Sequence, residues 1–253
     1  MERGSLERLL SEGWGYHDKE SERLARELET VAESGVTSAF LVPFLQLSTH
    51  VIGEHLGDWA RALELGRRVL DGQTPTIETA RAWGRLYVAA ILAGDAIGAA
   101  ELELCCLKAS GDDLGAALLD MRFMLVAALV GSRRAGDASR LYRGALDLVG
   151  QIPQSPLLER TIAIAGNNLG WELYEMSARS DDEDELMRLC AATSLKFWLR
   201  GGNWINVERA HYLNARVANV SGDPTSGLAH AGAGLEIIAA NGERPTRPAR
   251  INA

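Results

Sequence analysis

A Gly-Asp pair recurs along this chain in one setting, at Gly57-Asp58, Gly94-Asp95 and Gly222-Asp223. An apolar helical stretch precedes each pair. A small residue follows five places after the glycine (Ala62, Ala99, Gly227), and a leucine thirteen places after it (Leu70, Leu107, Leu235). A helix that ends on a glycine and restarts beyond an aspartate, again and again, is a helix-turn-helix repeat. One such unit cannot bury its apolar face alone and must stack on copies of itself. The expected fold is therefore all-α, a right-handed α-solenoid of stacked antiparallel helix pairs.

The rest of the chain fits that frame. Ala, Leu, Arg and Glu dominate, all strong helix formers, and alternating β-branched or aromatic runs are missing. Residues 1–36 read as an amphipathic helical segment packing on the solenoid, with Leu24, Leu28 and Val31 at helical spacing. The repeat domain is expected over 37–243. Its pairs run from about Thr37 to Leu70 and from Thr76 to Ala109. A degenerate pair turns near Gly131-Ser132-Arg133, with Ala138, Tyr142, Ala145 and Leu146 marking its second helix. A longer pair opens at Thr161, and the last spans Asn206 to Ala240. Gly131 lies 37 residues after Gly94, the same step as from Gly57 to Gly94. Ala99 is expected at a close helix crossing. Residues 244–253, rich in Pro and Arg, read as a disordered tail. The last pair lacks a polar capping helix, which leaves room for a further helix beyond it.

These residues resemble the tetratricopeptide repeat family. Trp83, Leu86, Ala90, Gly94, Asp95, Ala99 and Leu107 fall in register with that family's pattern. Leu169 and Gly170 take its positions 7 and 8, and Ala138, Tyr142 and Ala145 its positions 20, 24 and 27. The resemblance covers roughly Thr37 to Ala240. The chain departs from the pattern in having repeats of about 37 residues rather than the family's 34, with Tyr87 at one position 8 and Val69 or Cys106 at two positions 27. The resemblance implies a superhelix whose inner helices line a concave binding groove.

Composition narrows the partners. The formal net charge is −8, which argues against nucleic acid or an anionic membrane, since both select basic surfaces. No run of about 18 apolar residues is free of charge, so no transmembrane helix is expected. The N-terminus, charged from Glu2 to Arg8, lacks the apolar stretch of a signal peptide. Cys105, Cys106 and Cys190 read as reduced core residues of a cytoplasmic protein.

Candidate binding residues lie on two expected inner helices. Asn167, Trp171 and Tyr174 share one helical face, with Asn168 beside them, and Arg209, Tyr212, Arg216 and Asn219 share another. Asn and Arg supply donors for a carboxylate, and Trp and Tyr supply rigid contact area. The family resemblance supports this set, because inner-helix Asn and basic residues there often clamp a peptide carboxylate. The competing reading makes Trp171 and Tyr174 core and pairs the arginines with Glu172 or Glu208.

Other motifs carry less. The run Asp181-Asp182-Glu183-Asp184-Glu185 resembles the aspartate-rich Mg²⁺ motif of helical terpene synthases, but no second motif accompanies it. A solvated helix N-terminus explains it better. His50 and His55 are five apart, which does not place them on one α-helical face. No zinc site, catalytic residue, metal or cofactor is expected. His211 is expected at a helix packing position. The expected function is non-catalytic: a cytoplasmic adaptor or regulatory module binding a protein or peptide segment, one with an acidic or C-terminal carboxylate stretch. A ligand-sensing regulator gripping a small peptide or metabolite is the alternative, and a helical enzyme a third.

Overall fold

The recurring Gly-Asp pair acts through two local interactions. Gly57, Gly94 and Gly222 have φ of 70°, 82° and 78°, the left-handed region that ends a helix without a Cβ clash. The aspartate that follows caps the next helix. Asp58, Asp95 and Asp223 accept a hydrogen bond from the backbone N–H of Arg61, Gly98 and Ser226 at 3.0, 2.9 and 3.0 Å. The aspartate's own N–H closes the preceding helix: Asp95 donates to the Ala90 carbonyl and Asp223 to the Ala218 carbonyl, both at 2.9 Å.

The computed structural model describes residues 3–242, so the expected tail at 244–253 lies outside the described residues. The chain forms two compact units that meet at Arg134/Ala135, inside the expected repeat domain rather than at residue 37. Twelve α-helices and no strand occur among the described residues. The first unit holds α1 (Arg3–Glu12), α2 (Ser21–Glu33), α3 (Leu41–Ser48), a π-helical segment (Thr49–His55), α4 (Trp59–Leu70), α5 (Ala80–Leu92), α6 (Ala96–Ala109) and α7 (Leu114–Gly131). The second holds α8 (Ala135–Val149), α9 (Pro156–Glu175), α10 (Asp181–Gly201), α11 (Trp204–Val220) and α12 (Pro224–Asn241). Within each unit, successive helices stack in the solenoid manner. Leu24, Leu28 and Val31 of α2 are buried, as is Ala99 of α6. Arg61 of α4 forks onto both Glu29 oxygens at 2.7 and 3.0 Å and clamps α2 to the repeat. That guanidinium holds the Glu29 carboxyl below the usual carboxylate range.

Helix α7 is the one described helix long and apolar enough to cross a bilayer, with mean hydropathy 1.8, and 56% of it is buried. Its two charged residues are both paired within the unit. Asp120 meets Arg81 of α5 at 2.9 Å, and Arg122 meets Glu103 of α6 at 2.8 Å. This is the pattern of a helix at the centre of a helical layer.

The fourth turn falls at Gly131-Ser132-Arg133 as expected, and its left-handed residue is Arg133, with φ 58°. Gly131 is the last residue of α7, and its missing Cβ leaves room for the Glu54 carboxylate, which would lie 2.6 Å from one. The acidic run opens a full helix, in keeping with its reading as a helix N-terminus. Ser180 and Glu183 form a reciprocal capping box at the start of α10, Asp184 pairs with Arg179 at 2.6 Å and Glu185 with Arg143 at 2.6 Å. Arg179 also donates to the carbonyls of Tyr174 and Met176 at 3.1 and 3.0 Å. The acids thus fasten the end of α9 to the start of α10.

One expectation is corrected, that His50 and His55 do not share a helical face. In the π segment the Leu56 N–H bonds the Val51 carbonyl at 3.1 Å, five residues back, and Asp58 N–H reaches Ile52 at 2.9 Å, six residues back. One extra residue is accommodated in the helix, so side chains five apart come into line. The Nε2 atoms of His50 and His55 are 3.1 Å apart.

In the second unit, α9 and α10 approach most intimately at two glycines. A Cβ at Gly166 would lie 2.7 Å from the Cys190 carbonyl oxygen and 3.0 Å from the Ser194 nitrogen. A Cβ at Gly170 would meet Leu213 at 3.0 Å. Buried Ser194 donates to the Ala163 carbonyl at 2.9 Å across the same seam. Asn214 ties α11 to α10 by donating to the Ala191 carbonyl at 2.9 Å. Burial pushes the Cys190 thiol far up and the Cys106 thiol to about 11, so neither is an ionised nucleophile near neutrality.

Two glycine substitutions should therefore move stability in opposite directions. Gly166→Ala drives a methyl into backbone atoms and should cost about 1–3 kcal/mol. Gly144→Ala, on α8 with open space around its would-be Cβ, should add about 0.5–1 kcal/mol through helix propensity. Urea unfolding followed by far-UV circular dichroism measures both, and equal shifts would contradict the close seam.

Candidate functional site

Four of the eight residues singled out from the sequence meet in the second unit. The Trp171 ring lies edge-on to Tyr174, with centroids 5.4 Å apart, and tilted against Tyr212 at 5.7 Å. The Arg216 guanidinium sits over the Tyr174 ring at 5.1 Å. Its Nε donates to the Tyr174 hydroxyl at 2.9 Å, and a second guanidinium nitrogen contacts the same oxygen. The phenol oxygen accepting from Arg216 holds the guanidinium above its ordinary value, so the cation persists across the whole physiological range.

The positions differ in exposure in a useful way. Trp171 is 6% exposed and Tyr212 39%, so the indole forms the floor and Tyr212 the accessible wall. Tyr174 is half-buried and Arg216 exposed. Among the described residues no carboxylate lies within ion-pairing distance of Arg216. Arg61, Arg67, Arg81, Arg122 and Arg179 all have such a partner.

The other four residues sit elsewhere. Asn167 is fully buried, with its side-chain amide donating to Asn168 Oδ1 at 3.1 Å. It lies in α9 between Gly166 and the Gly170 turn, at the depth of the helix seam rather than on an open face. Asn168 is half-buried. Arg209 is 8% exposed and neighbours buried Glu208 in sequence, so it is withdrawn from solvent although it lies seven residues from exposed Arg216. Asn219 is exposed, and its side chain covers Gly227 of α12, where a Cβ would fall 2.4 Å from Asn219 Oδ1. The aromatic cluster with Arg216 thus remains as the candidate site, without the asparagines.

Two features escaped the sequence reading. A cleft of about 500 Å³ opens between α8 and α10. It is lined by Leu146, Val149 and Phe197, with Lys196 and Arg200 at its edge. Both cations lie over the Phe197 ring, at 5.8 and 5.1 Å. The second is a set of three histidines in the first unit, His17, His50 and His55, each offering one ring nitrogen within 4.8 Å of the others. His17 comes from a distant loop, so no local spacing could reveal it. The acidic run offers no comparable set, because three of its members are already engaged in the capping box and ion pairs.

No family model and no curated protein matches the chain. Among solved structures, it is similar to the crystal structure of BtubC (BKLC) from P. vanneervenii, with 18% identity and a TM-score of 0.42, over 98% of this chain and 96% of that one. A likeness at this level lends the chain neither a family nor an activity.

The pairing of His211 with His230 across α11 and α12, Nδ1 to Nδ1 at 3.0 Å, gives this unit a pH response. Burial, then the neighbouring His230, lowers the His211 pKa below its ordinary 6.5. The unfolded ring therefore takes up a proton first as the pH falls, and protonation favours unfolding. Stability is full above about pH 6.5 and is lost as the pH falls through the lowered folded value. Melting curves between about pH 7.5 and pH 5 should show a smaller drop for His211→Gln than for the unaltered chain. An equal drop would place the acid sensitivity in other groups.

Proposed function

We propose that this chain is a non-catalytic adaptor of the tetratricopeptide type, working in the cytoplasm, whose second unit binds a peptide segment carrying a carboxylate. The observation that carries the reading is Arg216. It is exposed, held in place by Tyr174, set beside the Trp171 and Tyr212 rings, and pairs with no carboxylate among the described residues. A guanidinium in that position offers charge-assisted donors to an incoming carboxylate, while the rings supply contact area at low entropic cost. A segment ending in a C-terminal carboxylate, or carrying an acidic side chain, suits it through contacts local to Arg216.

A second reading rests on the cleft beside Phe197. Its lining joins the apolar Leu146, Val149 and Phe197 to Lys196, Arg200 and Glu159, the last two paired at 3.7 Å, and suits a small molecule with an apolar body and a polar head, as a ligand-sensing regulator would bind. The two readings differ in place, since one centres on Arg216 and the other on Lys196 and Arg200.

A fluorescence-polarisation screen of acidic peptides, each made with a free C-terminal carboxylate and as the amide, separates them. A binding peptide should lose about thirtyfold in affinity with Arg216→Ala, equivalent to about 2 kcal/mol. Tyr212→Ala should weaken it as well, and both variants should melt as the unaltered protein does, because both side chains are solvent-facing. Trp171 is too buried to serve as a binding variant. Peptides that bind Arg216→Ala normally, or loss of binding only on Lys196→Ala, would move the site to the cleft. A screen in which no peptide binds would remove the adaptor reading.

A further inference from the structure

We propose that His17, His50 and His55 form a binding site for a divalent transition-metal ion of the Zn²⁺ class, with the fourth position open to solvent. The site belongs to the first unit and is independent of the peptide reading above. It departs from the expectation, made from spacing alone, that the chain has no zinc site.

The first support is orientation. A histidine binds a metal through one ring nitrogen, and the other is fixed by a hydrogen-bond acceptor. His50 Nδ1 lies 2.7 Å from Glu54 Oε2, and His17 Nδ1 lies 2.8 Å from the Trp14 carbonyl oxygen. Each acceptor requires an N–H on Nδ1. Each therefore leaves Nε2 as the bare nitrogen, the state a metal needs. Glu54 beside His50 repeats the carboxylate–histidine arrangement that orients metal ligands. Its side chain is only 13% exposed, and the space for it exists because residue 131 has no Cβ.

The second support is convergence. The Nε2 atoms of His50 and His55 are 3.1 Å apart, against about 3.3 Å between two nitrogens on a tetrahedral zinc with bonds near 2.0–2.1 Å. All three ligand atoms lie within 4.8 Å of one another. His55 stands nearly perpendicular to the other two rings, at 89° to His50 and 83° to His17, while His17 and His50 are tilted at 44°. The Trp14 ring packs against both His17 and His50, at 5.4 and 5.3 Å, and shields one side of the cluster. His55 faces solvent on the other.

The third support is the cost of the backbone that makes the cluster. An inserted residue held in π geometry is unfavourable relative to a regular helix and is found mostly where it serves a function. Here it is what aligns His50 with His55. Without a metal, the short Nε2–Nε2 contact needs the proton of His55 on Nε2, donated to His50. On binding, that proton shifts to Nδ1 of His55 and both lone pairs face the ion, so no proton need leave the site. The donor set is all imidazole, which suits Zn²⁺, Ni²⁺ or Cu²⁺ and not Mg²⁺ or Ca²⁺.

The test is a calorimetric titration of the full chain, stripped with EDTA and dialysed, with Zn²⁺ alone. One equivalent should bind, Co²⁺ should give the intense visible absorption of a tetrahedral site, and Mg²⁺ should not compete. His17→Ala, with circular dichroism confirming that the helical fold is kept, should cut Zn²⁺ affinity at least a hundredfold. Glu54→Gln should cut it by about 10–100-fold, since it acts through His50. His211→Ala, in the other unit, should leave it unchanged. Zn²⁺ should also raise the melting temperature of the unaltered chain and not of His17→Ala. No saturable binding, binding that survives His17→Ala, or a pale octahedral Co²⁺ spectrum would each overturn the proposal.

Discussion

The closing of a helix on a left-handed glycine, followed at once by a capping aspartate at Gly57-Asp58, Gly94-Asp95 and Gly222-Asp223, is what the repeated reversals of the chain depend on. A helix end exposes carbonyls and a helix start exposes N–H groups, and both must be satisfied where the chain reverses within a few residues. The Gly-Asp pair does this with two neighbouring residues. The Asp N–H closes the outgoing helix and the Asp carboxylate opens the next. With the reversal fixed, the direction of the second helix is set, and its small residues come to the crossing. Gly166 and Gly170 then allow backbone to approach backbone in the second unit.

The same logic explains where the pattern was legible and where it was hidden. Gly57, Gly94 and Gly222 could be read because left-handed backbone has a strong residue preference. The fourth turn could not be placed to the residue. Arg133 adopts the left-handed conformation at a modest cost, roughly 1–2 kcal/mol, and nothing in an arginine advertises it. Its successor still closes the helix, with Arg134 N–H on the Leu129 carbonyl at 2.8 Å. Gly131 meanwhile serves a neighbour, Glu54, that is remote in sequence. A glycine count alone cannot tell these two uses apart.

Site residues obey a similar division. Trp171, Tyr174, Tyr212 and Arg216 came together because helical periodicity decides which residues share a face. Periodicity does not decide how deep a face lies. Arg209 and Arg216 are in phase on α11, yet one is buried and the other exposed, because the neighbours that cover a face change along its length. Asn167 is in phase with Trp171 but falls level with the close seam between α9 and α10. The histidine cluster was illegible for a different reason. Its alignment depends on a hydrogen-bond register, i to i+5, that leaves no trace in the spacing of apolar residues, and its third member arrives from a loop between α1 and α2.

The close seam has a consequence for the kinetics of recognition. Trp171 follows directly on Gly170, where α9 is in close contact with both α10 and α11, and the C-terminal end of α9 is pinned by Arg179 and Asp184. The aromatic floor is thus carried on a backbone with little freedom to rearrange. A surface of this kind has no slow opening step before an encounter, so association should be governed by diffusion and charge. Affinity among different segments would then be sorted almost wholly by how long each one stays.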